Sequence, residues 1–195
     1  RLSEDPTRRV LLLESGPPDN HPLIHMPKGF AKLRRDGRYM WNFDVYERAS
    51  DSTPVRQWFR GRTLGGSSAI NGMIYMRGQP SDYEDLAALT SDDWNWDRML
   101  EAFKAVEAHG LGPSESRGSG GPLKITPFAH DCGSEEVMEA AIKSAESQGM
   151  QRREDVNDSD QNAKIGYTVR TIHKGRRQSA AVAFLRPVRQ RPNLV

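Results

Sequence analysis

Five glycines between Gly61 and Gly78 constrain this chain more than any other feature. The block reads Arg60-Gly-Arg-Thr-Leu-Gly-Gly-Ser-Ser-Ala-Ile-Asn-Gly-Met-Ile-Tyr-Met-Arg-Gly78. Gly65 and Gly66 are free to take positive φ, and Ser67 and Ser68 behind them are good helix N-caps. The small and apolar stretch Ala69 to Met76 follows, so a loop turning into a helix start is expected. Successive backbone N–H groups at such a turn suit a phosphate or another anion. A glycine pair before two serines also serves as a plain structural turn, and spacing alone leaves both roles open.

Two nucleotide-binding templates can be tested on the block. The P-loop needs G-x-x-x-x-G-K-[ST], and Gly61 to Gly66 supplies its frame, but Ser67 stands where the lysine must be. The dinucleotide fingerprint G-x-G-x-x-G fails too, because Thr63 occupies the place of the second glycine. Glu14 gives that failure a meaning. It closes the nearly continuous apolar run Arg9 to Glu14, which reads as a parallel-sheet strand covered on both faces. In dinucleotide folds an acid at this place binds a ribose hydroxyl about 20 residues after the fingerprint. Only 13 residues precede Glu14, so a fingerprint would lie upstream of Arg1. A strand-end glutamate is equally at home on a plain surface. Residue by residue, the reading stops at an α/β chain with features of nucleotide binding.

Composition removes several classes. The longest apolar run is Val10 to Leu13, far below the roughly 18 residues of a membrane span. Mean hydropathy is −0.74, and 4 Trp, 5 Tyr and 6 Phe argue against a disordered chain. Cys132 has no partner for a disulfide, which fits a reducing compartment, and a cytoplasmic location is expected. Lys+Arg 28 against Asp+Glu 26 leaves a net charge of +2. Basic pairs such as Arg8-Arg9, Arg34-Arg35 and Arg176-Arg177 are interleaved with acids, and no basic face with stacking aromatics can be drawn. No nucleic-acid partner is expected. No metal-ligand spacing is present.

Along the rest of the chain, residues 19–60 are rich in aromatics without a sustained period, as in a packed lid or functional loop. Trp96, Met99, Leu100, Phe103 and Val106 predict an amphipathic helix capped by Asn95 and stopped by Gly110. Leu111 to Pro122 reads as loop and Leu123 to Thr126 as a short strand. A second helix is predicted with Ser134 as cap, Val137, Met138, Ala141, Ile142 and Ala145 as apolar face, and Gly149 as stop. Tyr167 to Ile172 alternates like a strand, and the alanine-rich Ser179 to Leu185 ends at Pro187. Arg1 at the start and Leu194-Val195 at the end read as cuts in a longer polypeptide.

Taken together, these residues resemble the glucose–methanol–choline (GMC) flavoprotein oxidoreductases. Gly61-Arg-x-Leu-Gly-Gly-Ser-Ser-x-Ile-Asn71, followed by Tyr75, Gly78 and Glu84, is similar to the family's first signature. VLLLESG at 10–16, Trp94-Asn-Trp96, Gly120-Gly121-Pro122 and Ser179 to Pro187 before Pro192-Asn-Leu-Val195 follow in family order. The form of the block is close to bacterial alcohol and choline dehydrogenases.

The resemblance implies an α/β fold, α+β overall, with Rossmann-like FAD-binding elements and part of a substrate-binding domain. Residues 1–90 would belong to the cofactor domain, 91–175 to the substrate domain, and 176–195 to the cofactor domain again. Glu14 would bind the adenosine ribose of FAD. Arg62, Gly65, Gly66 and Ser67 would contact the cofactor, and Asn71, Gly72, Met73, Ile74 and Tyr75 would lie along its flavin. Fixed amide donors there would favour the reduced flavin. Some relatives attach FAD through a histidine before the asparagine; here that position is Ile70, so non-covalent FAD is expected. The implied reaction takes a small-molecule alcohol to a carbonyl by hydride transfer to flavin, with a catalytic histidine pair beyond Val195. His21, His25, His109, His130 and His173 match no such motif. A non-catalytic FAD- or nucleotide-binding module is the alternative. The isolated 195 residues are expected to bind FAD poorly and turn nothing over.

Overall fold

A computed structural model describes every residue except 34, 35, 49, 51, 129–134 and 161. In chain order the first elements are α1 (Pro22–His25), α2 (Phe30–Leu33), β1 (Met40–Val45), β2 (Arg56–Gly61), β3 (Ile74–Tyr75), α3 (Pro80–Leu89) and α4 (Trp96–Val106). They are followed by β4 (Glu107–His109), β5 (Leu123–Ile125), α5 (Glu135–Ser147), β6 (Gln151–Arg152), β7 (Lys164–Ile165), β8 (Val169–Arg170), β9 (Ile172–His173) and β10 (Arg176–Arg177). The chain gathers into two units, one of Arg1–Met73 with Ile172–Val195 and the other of Ile74–Thr171. No described helix is long and apolar enough to cross a membrane.

In the first unit β1 and β2 form an antiparallel hairpin with Met40 opposite Gly61 and Phe43 opposite Trp58. Its inner face puts Met40 and Phe59 against Ile24, Leu33, Tyr39, Ala69 and Ile70, which form the unit's core. The outer face leaves Trp41, Phe43 and Trp58 exposed. Arg56 and Arg60 stack on Trp58, and Arg62 lies 4.7 Å from the ring centre of Trp41. The sequence reading of 19–60 as lid therefore misses a hairpin, and the basic–aromatic face it could not draw is assembled by cross-strand register. The Val10–Leu13 run pairs in parallel with the chain's last residues, Val10 N–H to Asn193 O at 2.8 Å and Leu12 N–H to Val195 O at 2.7 Å. Expected cover on both faces is absent: Leu11 and Leu13 are 65% and 81% exposed, because no described element packs over them.

The second unit confirms the helix predicted from residue 96. Asn95 Oδ1 accepts the Arg98 N–H at 3.0 Å, and Tyr83 of α3 packs on Trp96 and Phe103 of α4. The helix stops at Val106, short of Gly110, because Glu107 turns extended and its carboxylate is drawn into a buried cluster. β4 and β5 pair in parallel, and β3 pairs antiparallel with β8. α5 ends at a left-handed Gly149 (φ 91°), as predicted, but buries a narrower stripe around Ile142 and leaves Val137 75% exposed. Its expected cap, Ser134, lies outside the described residues.

The buried cluster centres on Arg77 and Glu107, which are ion-paired with their side chains 2% and 0% exposed. His109 Nδ1 accepts the Leu111 N–H at 3.2 Å, so the neutral ring keeps its proton on Nε2, 3.4 Å from Asp155 Oδ2. Burial holds this imidazole below its ordinary value of 6.5, against the pull of Asp155 and Glu107, with Arg117 and Arg77 acting in the same direction as burial. A depressed folded value means the unfolded chain takes up the proton first. Stability is thus full above 6.5 and falls as pH drops through 6.5 towards the folded value. The urea midpoint is expected to be lower at about pH 5 than at about pH 7, and His109→Gln should flatten that slope. An unchanged slope in the variant would refute the assignment.

Candidate functional site

β2 runs directly into the glycine pair. Gly65 (φ 91°) and Gly66 (φ 54°) are both left-handed, which is the conformation the sequence reserves them for. The expected helix does not follow. A single 3₁₀ turn over Gly66–Ala69 closes with Asn71 N–H to Ser67 O at 2.9 Å. Asn71 Oδ1 then accepts the Met73 N–H at 3.0 Å, and Met73 itself takes φ 63°, which swings the chain out of helical geometry. A turn this short has no macrodipole to offer an anion, so its amides act singly.

Each serine of the turn is engaged. Ser67 Oγ accepts the Gly61 N–H at 3.0 Å, while Ser68 Oγ donates to Gly65 O at 2.5 Å and accepts the Ala180 N–H at 2.8 Å. A cavity of about 540 Å³ opens beside the turn, lined by Met40, Trp58, Phe59, Ser67, Asn71 and Gly72 among others. Gly72 has open space where a Cβ would stand, as has Gly66.

Of the residues singled out from sequence, Ser67, Asn71 and Gly72 line this cavity, whereas Arg62, Gly65 and Gly66 precede them in the chain and do not line it. Glu14 sits close by in sequence to Gly16, whose backbone packs on Arg62 and Thr63; Thr63 Oγ1 donates to Pro17 O at 2.7 Å. Glu14 Oε1 accepts the Gly16 N–H at 2.8 Å and the residue is exposed. Met73 is 3% exposed, a core side chain. Ile74 and Tyr75 belong to the second unit, where they form β3 and burial pushes the Tyr75 phenol up to about 12.

Sequence reasoning missed Arg177. Within Lys174-Gly-Arg-Arg177 it reads as ordinary mixed surface charge, yet it is 1% exposed. From β10 its Nε donates to Ile24 O at 2.7 Å, and its Nη1 donates to Ser68 O at 3.1 Å and to Asn71 O and Oδ1 at 2.8 Å. The signal that separates the two arginines is hairpin alternation: Arg177 pairs with Ile172 and turns inward. Three of the described histidines, His21, His25 and His109, are tied into the fold. His21 caps α1 by accepting the Leu23 N–H at 3.2 Å, and His25 and His109 are buried. Among the described residues no group of three or more His, Cys, Asp or Glu side chains is gathered as a metal site.

Known proteins match this chain along its whole length. The family described as GMC oxidoreductase matches residues 41–195. Human mitochondrial choline dehydrogenase is 37% identical over 205 residues, covering 100% of this chain and 33% of that protein. The alcohol dehydrogenase [acceptor] of Pseudomonas putida is 36% identical over 198 residues, covering 100% and 35%. Among solved structures, pyridoxine 4-oxidase from Mesorbium loti superposes with a TM-score of 0.87 at 38% identity, over 100% of this chain and 38% of that one. An FAD-dependent oxidoreductase from Chaetomium thermophilum gives 0.80 at 25% identity, over 100% and 35%. The chain thus spans about a third of the length of the relatives it matches. With the glycine block and the turn it builds inside the matched region, the chain belongs to the GMC oxidoreductases, a family of FAD flavoproteins.

Proposed function

We propose that this chain supplies the flavin-side part of an FAD-dependent enzyme that oxidises the CH–OH group of a small alcohol to a carbonyl. The observation that carries the reading is the cavity bordered by Ser67, Asn71 and Gly72 inside the family match. The residues present fit the cofactor. Gly66 and Gly72 leave room where any side chain would intrude, and the Gly72 N–H has no acceptor among the described residues. Gly72 is exposed at the cavity, so its N–H is open to an acceptor from outside the chain. FAD, when bound, supplies the hydride acceptor.

The protein's own groups then have separable tasks. Ser67 and the Gly72 amide hydrogen-bond the cofactor, and Met40 and Phe59 keep water from that side of it. Glu14, with one carboxylate oxygen on Gly16, keeps the other for a ribose hydroxyl. Arg62, Gly65 and the run Asn71 to Tyr75 complete the cofactor-binding set implied by the family signature. Ile70 carries no nucleophilic nitrogen, so the flavin is held without a covalent bond there.

The natural full-length protein carrying this sequence is expected to show oxidised-flavin absorbance. That absorbance should bleach anaerobically with an alcohol from a panel that includes choline and pyridoxine, and denaturation should release free flavin. Protein that takes up no FAD overturns the reading. Flavin retained on the denatured chain overturns the non-covalent attachment alone.

A further inference from the structure

We propose that Arg177 is the positioning residue of this pocket, setting the shape of the Ser68–Gly72 turn and the donor strength of the Gly72 amide towards the cofactor. The inference rests on the FAD reading above. It starts from an anomaly of charge. Arg177 is 1% exposed, and its four hydrogen bonds among the described residues all end on neutral oxygens. Its Nη2 is buried with no acceptor among the described residues. Arg77, equally buried, has Glu107 as counter-ion. Burial without a carboxylate draws the Arg177 guanidinium down to about 10, which still leaves it charged at neutral pH. An uncompensated buried cation is costly, and a native structure keeps one where the charge does something.

What it does follows from its acceptors. Asn71 O and Gly72 N–H belong to one peptide group. A cation on the oxygen pulls electron density through the amide and makes the N–H a stronger donor. That N–H has no acceptor among the described residues, and its residue lines the cavity. Nη1 also holds Asn71 Oδ1, which receives the Met73 N–H, and Ser68 O on the opposite side of the turn. Nε reaches Ile24 O in the core. One planar fork thus fixes the turn from three directions, a task a point-charge ammonium cannot perform. The charge and the strengthened donor both favour the electron-rich reduced flavin over the oxidised form.

The test compares Arg177→Met, Arg177→Lys and the exposed neighbour Arg176→Met in the full-length protein, by FAD Kd, thermal midpoint and the midpoint potential of the bound flavin. Arg177→Met is expected to weaken FAD binding at least about tenfold, the effect of losing one charge-assisted hydrogen bond. The preference for reduced over oxidised flavin should fall about tenfold, which for a two-electron couple lowers the potential by about 30 mV. Arg177→Lys keeps the charge but not the fork, and should also weaken FAD binding about tenfold. Arg176→Met should match the wild type. A purely structural arginine would lower the thermal midpoint without moving the potential of the flavin that remains bound, and that result overturns the proposal. So does an Arg177→Lys variant with wild-type Kd, even if Arg177→Met fails to fold. Wild-type protein that binds no FAD overturns the FAD reading itself, and the proposal with it.

Discussion

Replacing Arg77 by methionine is expected to destabilise the unit of Ile74–Thr171 by about 3–5 kcal/mol, the range for breaking a buried ion pair from one side. The substitution leaves the fully buried Glu107 carboxylate with the Gly118 N–H at 2.8 Å on Oε1 and, among the described residues, no hydrogen bond on Oε2. It also removes Arg77 Nη1 from Ser116 O and the guanidinium from the Phe103 ring, 5.0 Å away. The paired substitution Arg77→Met with Glu107→Leu should recover most of the loss, because apolar residues of similar volume replace buried ion pairs at little or no cost. Urea unfolding followed by the fluorescence of Trp94 and Trp96 reads both variants. A single variant within about 1 kcal/mol of wild type would show that the pair is not a structural keystone.

The sequence announced those parts of the fold whose physics is local. The period from Trp96 to Val106 and the Asn95 side chain act within a few residues, so α4 and its cap are readable in a row of letters. Gly65, Gly66 and Gly149 are equally local: left-handed backbone favours glycine, and all three adopt it. What went unread depends on partners far along the chain. The hairpin's outer face joins Trp41 and Phe43 to Trp58 and Arg60 by register, across a connection without periodic signal. Arg177 meets Asn71 from 106 residues away, and nothing in Lys174-Gly-Arg-Arg177 says which arginine goes inside. The helix expected after Ser67 failed for a related reason. Its small apolar residues favour a helix, but the Asn71 side chain and the left-handed Met73 end the turn, with Arg177 holding its carbonyls. The apolar run before Glu14 pairs in parallel, as its composition suggests, while the cover its leucines call for is absent among the described residues.

Gly61→Ala should abolish tight FAD binding by displacing the turn, and Gly72→Ala should weaken it while leaving the fold intact. Gly61 ends β2 opposite Met40, and its N–H is held by Ser67 Oγ at 3.0 Å. A Cβ placed there would stand 2.2 Å from Gly66 O and 2.6 Å from Ser67 N, both backbone atoms that cannot swing aside as a side chain would. The Gly66–Ser67 peptide must therefore move outward by about an ångström to restore van der Waals contact, at the roughly 1–3 kcal/mol typical of overpacking. That movement carries Ser67 off its place on the cavity wall and loosens the carbonyls that Arg177 binds. Gly72 differs in kind. Nothing lies within 4 Å of its missing Cβ, so alanine costs the chain no collision, and the added methyl occupies only the open space beside the unpaired amide. Thermal denaturation of the apoprotein should thus separate the two, with Gly61→Ala lower and Gly72→Ala unchanged, while FAD titration should show at least about a tenfold loss for both. Wild-type FAD affinity in Gly72→Ala would mean that the flavin does not approach this amide, and would remove the cavity beside Ser67 and Asn71 from the cofactor site whatever the fate of Gly61→Ala.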